Sequence, residues 1–548
     1  MCDYMFNKIK HHINVFSVTS ILAAFFIVLP LFNILLELFT APSSAWLHIR
    51  EHLLAGYVIN TIILIVAVGV FSGIIGTFSA YVVTRFEFKG RKVLSWFLIL
   101  PLAMPSYIAA YVYADMTSYT GTFSRFMRSL HIPLSIDIMS MPGVIFIFVL
   151  TLYPYVYLMV KGALSKQSAS FIENARLLGA SKVRILVTVV LPLLRPAMIA
   201  GMLLVVLETL NDYGVVAYFN IRVFSFAIFD AWFRLGDIVS AIRLSAILMI
   251  IVFAVVFIER MIRGKRRYTI HIKTKPIERV YLKGYKKIVL PAILWVIMAF
   301  AFFVPVAQLL WYATKTYPLL FDLNFIYLVI NSLSVALTAT FLIVFIALML
   351  ANFNRGRQSS FKKSLLKITN LGYAIPGAVI AVAVLVFFID ADTTFYSIYH
   401  WFNEDSPRLL MTSSLLMLIF AYVLRFMAIG YNSIEASYDK IGEKFTEAAY
   451  LLKTSKLKTL LSIDLPLIKS GLISAAIIVF IDVIKELPLT LILRPTNYET
   501  LASQVYKFAR EEMLQEAAIP SLVMISLSSL AIYIFTHRKK KGVVKHVR

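Results

Sequence analysis

Cysteine is almost absent from the 548 residues, with Cys2 the single example, which excludes internal disulfides and thiolate metal clusters. Charge is scarce too: 15% of residues are charged, and 29 acidic residues face 53 basic ones. The chain also lacks a complete Gly-x-x-x-x-Gly-Lys-Ser/Thr phosphate cradle. Its one Gly-Lys pair, Gly264-Lys265, is followed by Arg266 and has Glu259 where the first glycine belongs. The sequence therefore offers no such cradle for a nucleotide. No convincing catalytic constellation exists either. His48, Glu51 and His52 form the nearest cluster, and a wet loop after the first apolar block accounts for them without metal. His11 and His12 are adjacent but lack nearby partners, as expected of tail residues near headgroups.

What the chain has in abundance is apolar sequence, 60% of all residues, with a mean hydropathy of +0.83. A soluble protein of this length keeps a more polar exterior, so lipid is the expected solvent. The apolar residues form long blocks rather than barrel-type alternation. These blocks lie near 15–36, 57–81, 93–114, 143–161, 187–208, 240–258, 288–312, 328–350, 369–389, 411–430, 465–484 and 519–536. Each can cross a hydrocarbon layer about 30 Å thick, so the expected fold is an all-α polytopic membrane protein of about twelve transmembrane helices. The first block follows Lys8 and Lys10 like a signal peptide, but its length and the spans behind it predict an uncleaved helix.

The formal charge of +24 would raise the question of nucleic acid in a soluble protein. Here the basic residues sit between apolar blocks, chiefly at 260–287, 355–367 and 537–548. Placing both termini in the cytoplasm puts nearly every Lys and Arg cluster inside and the segments around Asp390, Asp392, Glu404 and Asp405 outside. The charge is therefore read as topological, with membrane lipid as neighbour and no nucleic-acid partner.

The chain repeats itself. Val58-Ile59-Asn60-Thr61 returns as Val329-Ile330-Asn331-Ser332, and Pro105 returns as Pro376, at a separation of 271. Glu173, Ala175, Ser181, Lys182, Leu191 and Pro192 return as Glu447, Ala449, Ser455, Lys456, Leu465 and Pro466, at a separation of 274. An even number of spans precedes the second copy, so the two six-helix repeats share one orientation, related by an axis along the membrane normal. The expected organisation is a first repeat at 1–258, a basic cytoplasmic linker at 259–287 that needs no fold of its own, and a second repeat at 288–548.

Each repeat carries a short cytoplasmic signature between its fourth and fifth spans. The first runs Glu173-Asn174-Ala175-Arg176-Leu177-Leu178-Gly179-Ala180-Ser181-Lys182, then Leu191-Pro192. The second runs Glu447-Ala448-Ala449-Tyr450-Leu451-Leu452-Lys453-Thr454-Ser455-Lys456, then Leu465-Pro466. Ala, Leu, Glu and Arg favour a short helix, Gly179 suits its end, and Pro192 and Pro466 fit an early helical position. Ile172, Leu177 and Leu178 supply apolar contact, and Glu173 and Arg176 oriented charge. If a pair of partner domains is to push two equivalent halves at once, each half needs an equivalent handle.

This pattern, Glu-Ala-Ala, three residues, Gly, nine residues, a hydrophobic residue, one residue and Leu-Pro, resembles the coupling-loop signature of binding-protein-dependent ABC importer permeases. Glu173, Ala175, Gly179, Val189, Leu191 and Pro192 match it in the first copy, where Asn174 replaces an alanine. Glu447, Ala448, Ala449, Ile463, Leu465 and Pro466 match it in the second, where Lys453 replaces the glycine. The resemblance spans essentially the whole chain and looks closest to fused two-domain ferric-iron permeases. The segments that point there are Glu208-Thr209-Leu210-Asn211-Asp212-Tyr213-Gly214, Phe229-Asp230-Ala231-Trp232-Phe233, Asp482-Val483-Ile484-Lys485-Glu486-Leu487-Pro488 and Leu493-Arg494-Pro495. It implies the type I ABC importer permease fold and a bacterial inner-membrane location. It also implies two copies of an ATPase subunit that use ATP and Mg, an extracytoplasmic substrate-binding protein, and ferric iron as cargo. No cofactor is expected on this chain itself.

Glu208 and Asp482 are equivalent in the repeat, as are Asp212 and Glu486. Ionised carboxylates in hydrocarbon are costly, so these four face the translocation path, one another, Lys485 or outer water. They are candidates for the path or gate, with span capping as the structural alternative; Arg425 inside the tenth block poses the same problem. Carboxylates are hard oxygen ligands suited to Fe(III), but no metal site follows from the sequence. Thiamine, a phosphonate or another small solute fits the same importer architecture. An ion-gradient-driven secondary transporter is the alternative of a different class, and it needs no cytoplasmic handles.

Overall fold

A computed structural model describes residues 15–37, 39, 41–132, 134, 136–166, 169–263, 279–318, 322–355, 359–369, 371–442, 444–452 and 454–544. Cys2, His11, His12, Gly264-Lys265, most of the linker, Lys453 and the end of the tail lie outside those residues.

In the first half the principal helices are α1 Val15–Glu37, α2 Ser44–Arg85, α3 Ser106–Thr117, α4 Met141–Lys166, α5 Ala169–Leu177, α6 Val183–Asn211, α7 Gly214–Tyr218 and α8 Ile238–Arg263. The second half repeats the series as α9 Lys286–Thr316, α10 Leu323–Asn354, α11 Gly377–Phe402, α12 Leu415–Ile441, α13 Lys444–Leu451, α14 Lys456–Ile484, α15 Pro488–Leu493 and α16 Ala518–Val544. Each helix of the second half thus stands eight places after its counterpart. Among the described residues ten helices are long and apolar enough to cross a membrane. The chain is an all-α polytopic membrane protein.

Three of the expected spans take a different form, the first being α1, whose apolar stretch over Phe16–Pro30 is too short to count among the ten. The apolar block 93–114 predicts one straight helix. Instead Arg91–Phe97 and a tight turn at Leu100–Ala103 lead into α3 across a bend of 91°. Pro105 causes the break: it has no N–H for the helical ladder, sits at ψ 137°, and holds Met104 extended at ψ 117°. The block 369–389 breaks at the equivalent Pro376, ψ 144°, so α11 starts at Gly377 and runs on to Phe402. His48 and His52 occupy helical turns that open α2 rather than a loop, with their rings 4.9 Å apart.

Within each half the second, fourth and fifth spans pack on one another: α2 with α4 and α6, and α10 with α12 and α14. The outer helices are exchanged. Helices α1 and α8 pack on α11 of the second half, while α9 packs on α3 and on Arg91–Phe97 of the first, and α16 on the Leu100–Ala103 turn. The halves therefore share their cores, and one buried cluster joins Leu98, Tyr107 and Tyr157 with Leu294, Met298 and Met524. The end of the linker is pinned as well. Val280–Tyr281 pairs in parallel with Phe86–Glu87, and Glu87 takes Arg91 at 3.0 Å and Arg279 at 3.4 Å. The hydrogen bond from Arg91 holds the Glu87 carboxyl below its ordinary pKa.

Asp392 on α11 is wholly buried and accepts bonds from the Met411 N–H (3.0 Å), the Thr412 N–H (2.8 Å) and the Thr412 hydroxyl (2.6 Å). It fastens the connection before α12 to the helix. Asp392→Ala strands two backbone donors, and a loss of at least about 3 kcal/mol is expected. Thermal unfolding of the purified chain in detergent reads it, and an unchanged midpoint removes Asp392 from the fold's supports.

Candidate functional site

The two repeated signatures, the handles expected from the sequence, form two matching helices. Helix α5 ends where Gly179 adopts φ +77°, a left-handed conformation open to glycine, and the Ala180 N–H donates back to the Ala175 C=O at 3.0 Å. At the equivalent place after α13 the Thr454 N–H donates to the Ala449 C=O at 3.2 Å, and the Thr454 hydroxyl adds a second bond to that oxygen at 2.7 Å. The closing bond is thus retained in the copy that has Lys453 where the first has glycine.

Each handle presents a leucine pair to the outside. Leu177 and Leu178 are 86% and 87% exposed, and their counterparts Leu451 and Leu452 are 84% and 79% exposed. Ala175 is half-buried and Ala449 buried, while Glu447 and Ala448 face outward and Glu173 is half-buried. The inner faces anchor the helices and the leucines stay unburied.

The anchors differ between copies. Behind α13, Asp464 accepts from the Thr446 hydroxyl and from Arg355, both at 3.0 Å, and Arg355 also donates to the Gly442 C=O at 2.8 Å. Val190, buried, takes the place of Asp464 in the first half. Pro192 and Pro466 stand, as expected, in the first turn of the α-helical stretches Leu191–Asn211 and Leu465–Ile484. The fifth span of each half is one continuous helix from Val183 or Lys456, and a π turn, Leu186–Val190 or Leu460–Asp464, precedes Leu191-Pro192 and Leu465-Pro466. The wider turn accommodates the hydrogen bond that proline cannot make.

The four candidate carboxylates gather where the halves meet. Glu208, Asp212 and Glu486 line a cavity of about 70 Å³ with Asn211, Lys485, Tyr107, Ser106 and Thr151. Asp482 stands behind it, paired with Lys485 at 2.9 Å. Asp212 caps α7 by accepting from the Val215 N–H at 2.8 Å, and Glu486 reaches the Leu489 N–H of α15 at 3.4 Å. Both stand where a long span ends and a short helix begins, so capping and cavity lining coincide in the same residues. Among the described residues no three His, Cys, Asp or Glu side chains converge closely enough to hold a metal ion.

Two residues that the sequence did not join to the site complete it. Arg425 on α12 donates to Asn211 Oδ1 at 2.6 Å across the halves and lies 3.5 Å from Glu486. Asn211 Oδ1 also accepts from the Gly377 N–H at 2.6 Å. Arg425 and Glu486 are buried, 4% and 6% exposed at their side chains. The signal for Arg425 was its charge within an apolar block; its partner lies 214 positions away, beyond the reach of local pattern. Gly377 is required by contact: a Cβ there would stand 2.7 Å from Arg425 Nη1 and 2.9 Å from Asn211 Oδ1 and Glu486 Oε1. Gly377→Ala should therefore break the crossing and lower transport at least tenfold at equal membrane abundance, a loss of about 1.4 kcal/mol or more. Wild-type uptake in that variant would show the crossing to be dispensable.

The family model described as binding-protein-dependent transport system inner membrane component matches residues 72–265 and again 343–538. The chain is 24% identical over 482 residues to the Fe(3+)-transport system permease protein FbpB 2 of Haemophilus influenzae, covering 87% of this chain and 88% of the relative. It is 24% identical over 492 residues to the ferric transport system permease protein FbpB of Actinobacillus pleuropneumoniae, covering 84% and 68%. A solved bacterial ABC transporter involved in the import of the acidic polysaccharide alginate aligns at 16% identity over 46% of this chain and 93% of that chain, with a TM-score of 0.37. The family model falls once in each half of the internal repeat and covers most of the chain between its two matches. The chain belongs to the binding-protein-dependent transport system inner membrane components, as a duplicated multi-pass permease.

Proposed function

We propose that this permease is the membrane subunit of an ATP-driven importer that moves ferric iron from an extracytoplasmic binding protein into the cytoplasm. The observation that carries the reading is the pair of handles: equivalent helices, the same closing bond, and two exposed leucines on each. An aqueous surface gains nothing from four exposed leucines, whereas two identical partner grooves would bury them. The partners are two copies of an ATPase subunit, which bind the ATP and Mg, and this chain needs no cofactor of its own. Both termini and the basic stretch 259–287 that joins repeats 1–258 and 288–548 lie in the cytoplasm.

Ferric iron is favoured because relatives matching most of the chain are named for it and because the central cavity is lined by carboxylate oxygens, which suit hard cations. A loaded binding protein docks on the outer loops of both halves. Closure of the ATPases pulls α5 and α13, the halves tilt and part at the central cavity, and hydrolysis resets them. Glu208, Asp212, Asp482 and Glu486 make transient contacts that a moving cation exchanges in turn.

Permease reconstituted with the ATPase and supplied in turn with binding proteins loaded with ferric iron, thiamine or a phosphonate tests this reading. ATP-dependent ferric uptake is expected. Uptake that persists without the ATPase would favour an ion-gradient mechanism, and uptake of only another solute would replace the cargo.

A further inference from the structure

The two halves are not chemically alike at the centre. Asn211 is matched by Lys485, Arg425 by Thr151 and Gly377 by Ser106 in the repeat, and Ser106 and Thr151 bond each other at 3.0 Å where the other side has Gly377 and Arg425. Both internal cations stand on carboxylates of the second half, Arg425 beside Glu486 and Lys485 beside Asp482. The Tyr107 hydroxyl, on a side chain 3% exposed that lines the same cavity, has no hydrogen-bond partner among the described residues. A buried hydroxyl without a partner marks a place where a ligand or water completes the site.

We propose that Arg425 and Lys485 are resident counter-ions of the gate: they occupy its carboxylates while it is empty and set its affinity for a hard polyvalent cation low enough for release. This rests on the cation-cargo reading. The reason is charge arithmetic in a region of low dielectric. Without internal cations, the carboxylates of Glu208, Asp212 and Glu486 around the cavity would leave a strongly negative space that a trivalent ion would be slow to quit. Arg425 and Lys485 compete with the ion for the same oxygens, and both are tethered, so they return at once when it leaves. Asn211 gives Arg425 its position. Its oxygen orients the guanidinium while the halves are closed, and when they part that anchor withdraws and Arg425 can yield Glu486.

Removing a counter-ion should therefore create binding rather than abolish it. Tb³⁺, a hard trivalent probe whose emission is sensitised by nearby tyrosine, is titrated into purified full-length permease. The wild type should bind weakly at this site. Arg425→Gln should bind at least tenfold more tightly than the wild type, with Tyr107 as antenna, and Arg425→Gln combined with Glu486→Gln should lose that gain. If Arg425→Gln does not fold, Lys485→Gln carries the same test, with Asp482→Asn as its control. Equal Tb³⁺ binding by the wild type and the counter-ion variant, or a gain that survives loss of the carboxylate, overturns the proposal. Wild-type ferric uptake is measured in parallel. If it is absent the cargo reading fails, while the Tb³⁺ titration still decides the role of the two cations.

Discussion

Replacing Leu177 and Leu178 together with Leu451 and Leu452 by serine should abolish ATP-driven uptake while leaving the permease folded and in the membrane. All four side chains are at least 79% exposed, so the body of the protein loses almost no packing. Burying a leucine in a partner groove is worth about 1.5–3 kcal/mol, hence roughly 3–6 kcal/mol for each handle. That corresponds to an affinity loss of about 10²–10⁴ for each ATPase copy. Changing one handle alone should leave one ATPase bound and still stop uptake, because a single lever tilts only one half. Co-purification of the ATPase and uptake at equal abundance measure both effects. Normal association of the fourfold variant would mean that the leucines face lipid or solvent without a partner. Charge reversal at Glu173 and Glu447 together tests the polar side of the same surface, with weakened ATPase stimulation expected.

Arg355→Met should destabilise the second handle by about 3–5 kcal/mol, the usual consequence of leaving one member of a buried pair alone. Arg355 meets Asp464 at 3.0 Å with 12% and 4% side-chain exposure, and its guanidinium lies 4.4 Å over the Tyr438 ring. Its loss leaves the Asp464 carboxylate with Thr446 as its remaining hydrogen-bond donor among the described residues. The combined Arg355→Met and Asp464→Leu variant should recover much of the stability, since Val190 fills the equivalent place in the first half. Limited proteolysis distinguishes the copies: cleavage near α13 should accelerate and cleavage near α5 should not. Equal acceleration at both would mean that the handles are supported in common.

The sequence carried the architecture because its strongest signals are one-dimensional. Long apolar blocks and alternating basic loops read directly as spans, and Glu173/Glu447, Pro105/Pro376 and Leu-Pro at 191–192 and 465–466 expose the repeat. It was less informative where composition and geometry part. The block 93–114 is apolar on both sides of Pro105, so hydropathy runs smoothly through a 91° bend. The π turns before Leu191 and Leu465 let proline sit within a continuous helix, a compensation that residue preference does not reveal. The exchange of α1 and α9 between halves and the Arg425–Asn211 crossing depend on three-dimensional neighbours far apart in the chain. Asn211 lies in the segment Glu208–Gly214 that resembles the ferric-iron permeases, yet only the structure joins it to Arg425.

The importer account stands on force entering through both handles, and site-specific cross-linking tests that most directly. With Cys2 changed to serine, single cysteines replace Leu178 or Leu452, singly and together, in membranes that contain the ATPase. The account predicts one ATPase copy captured by each single-cysteine permease and two by the double variant, with yields that change when ATP is added. Capture through one handle only, or none through either, would contradict it.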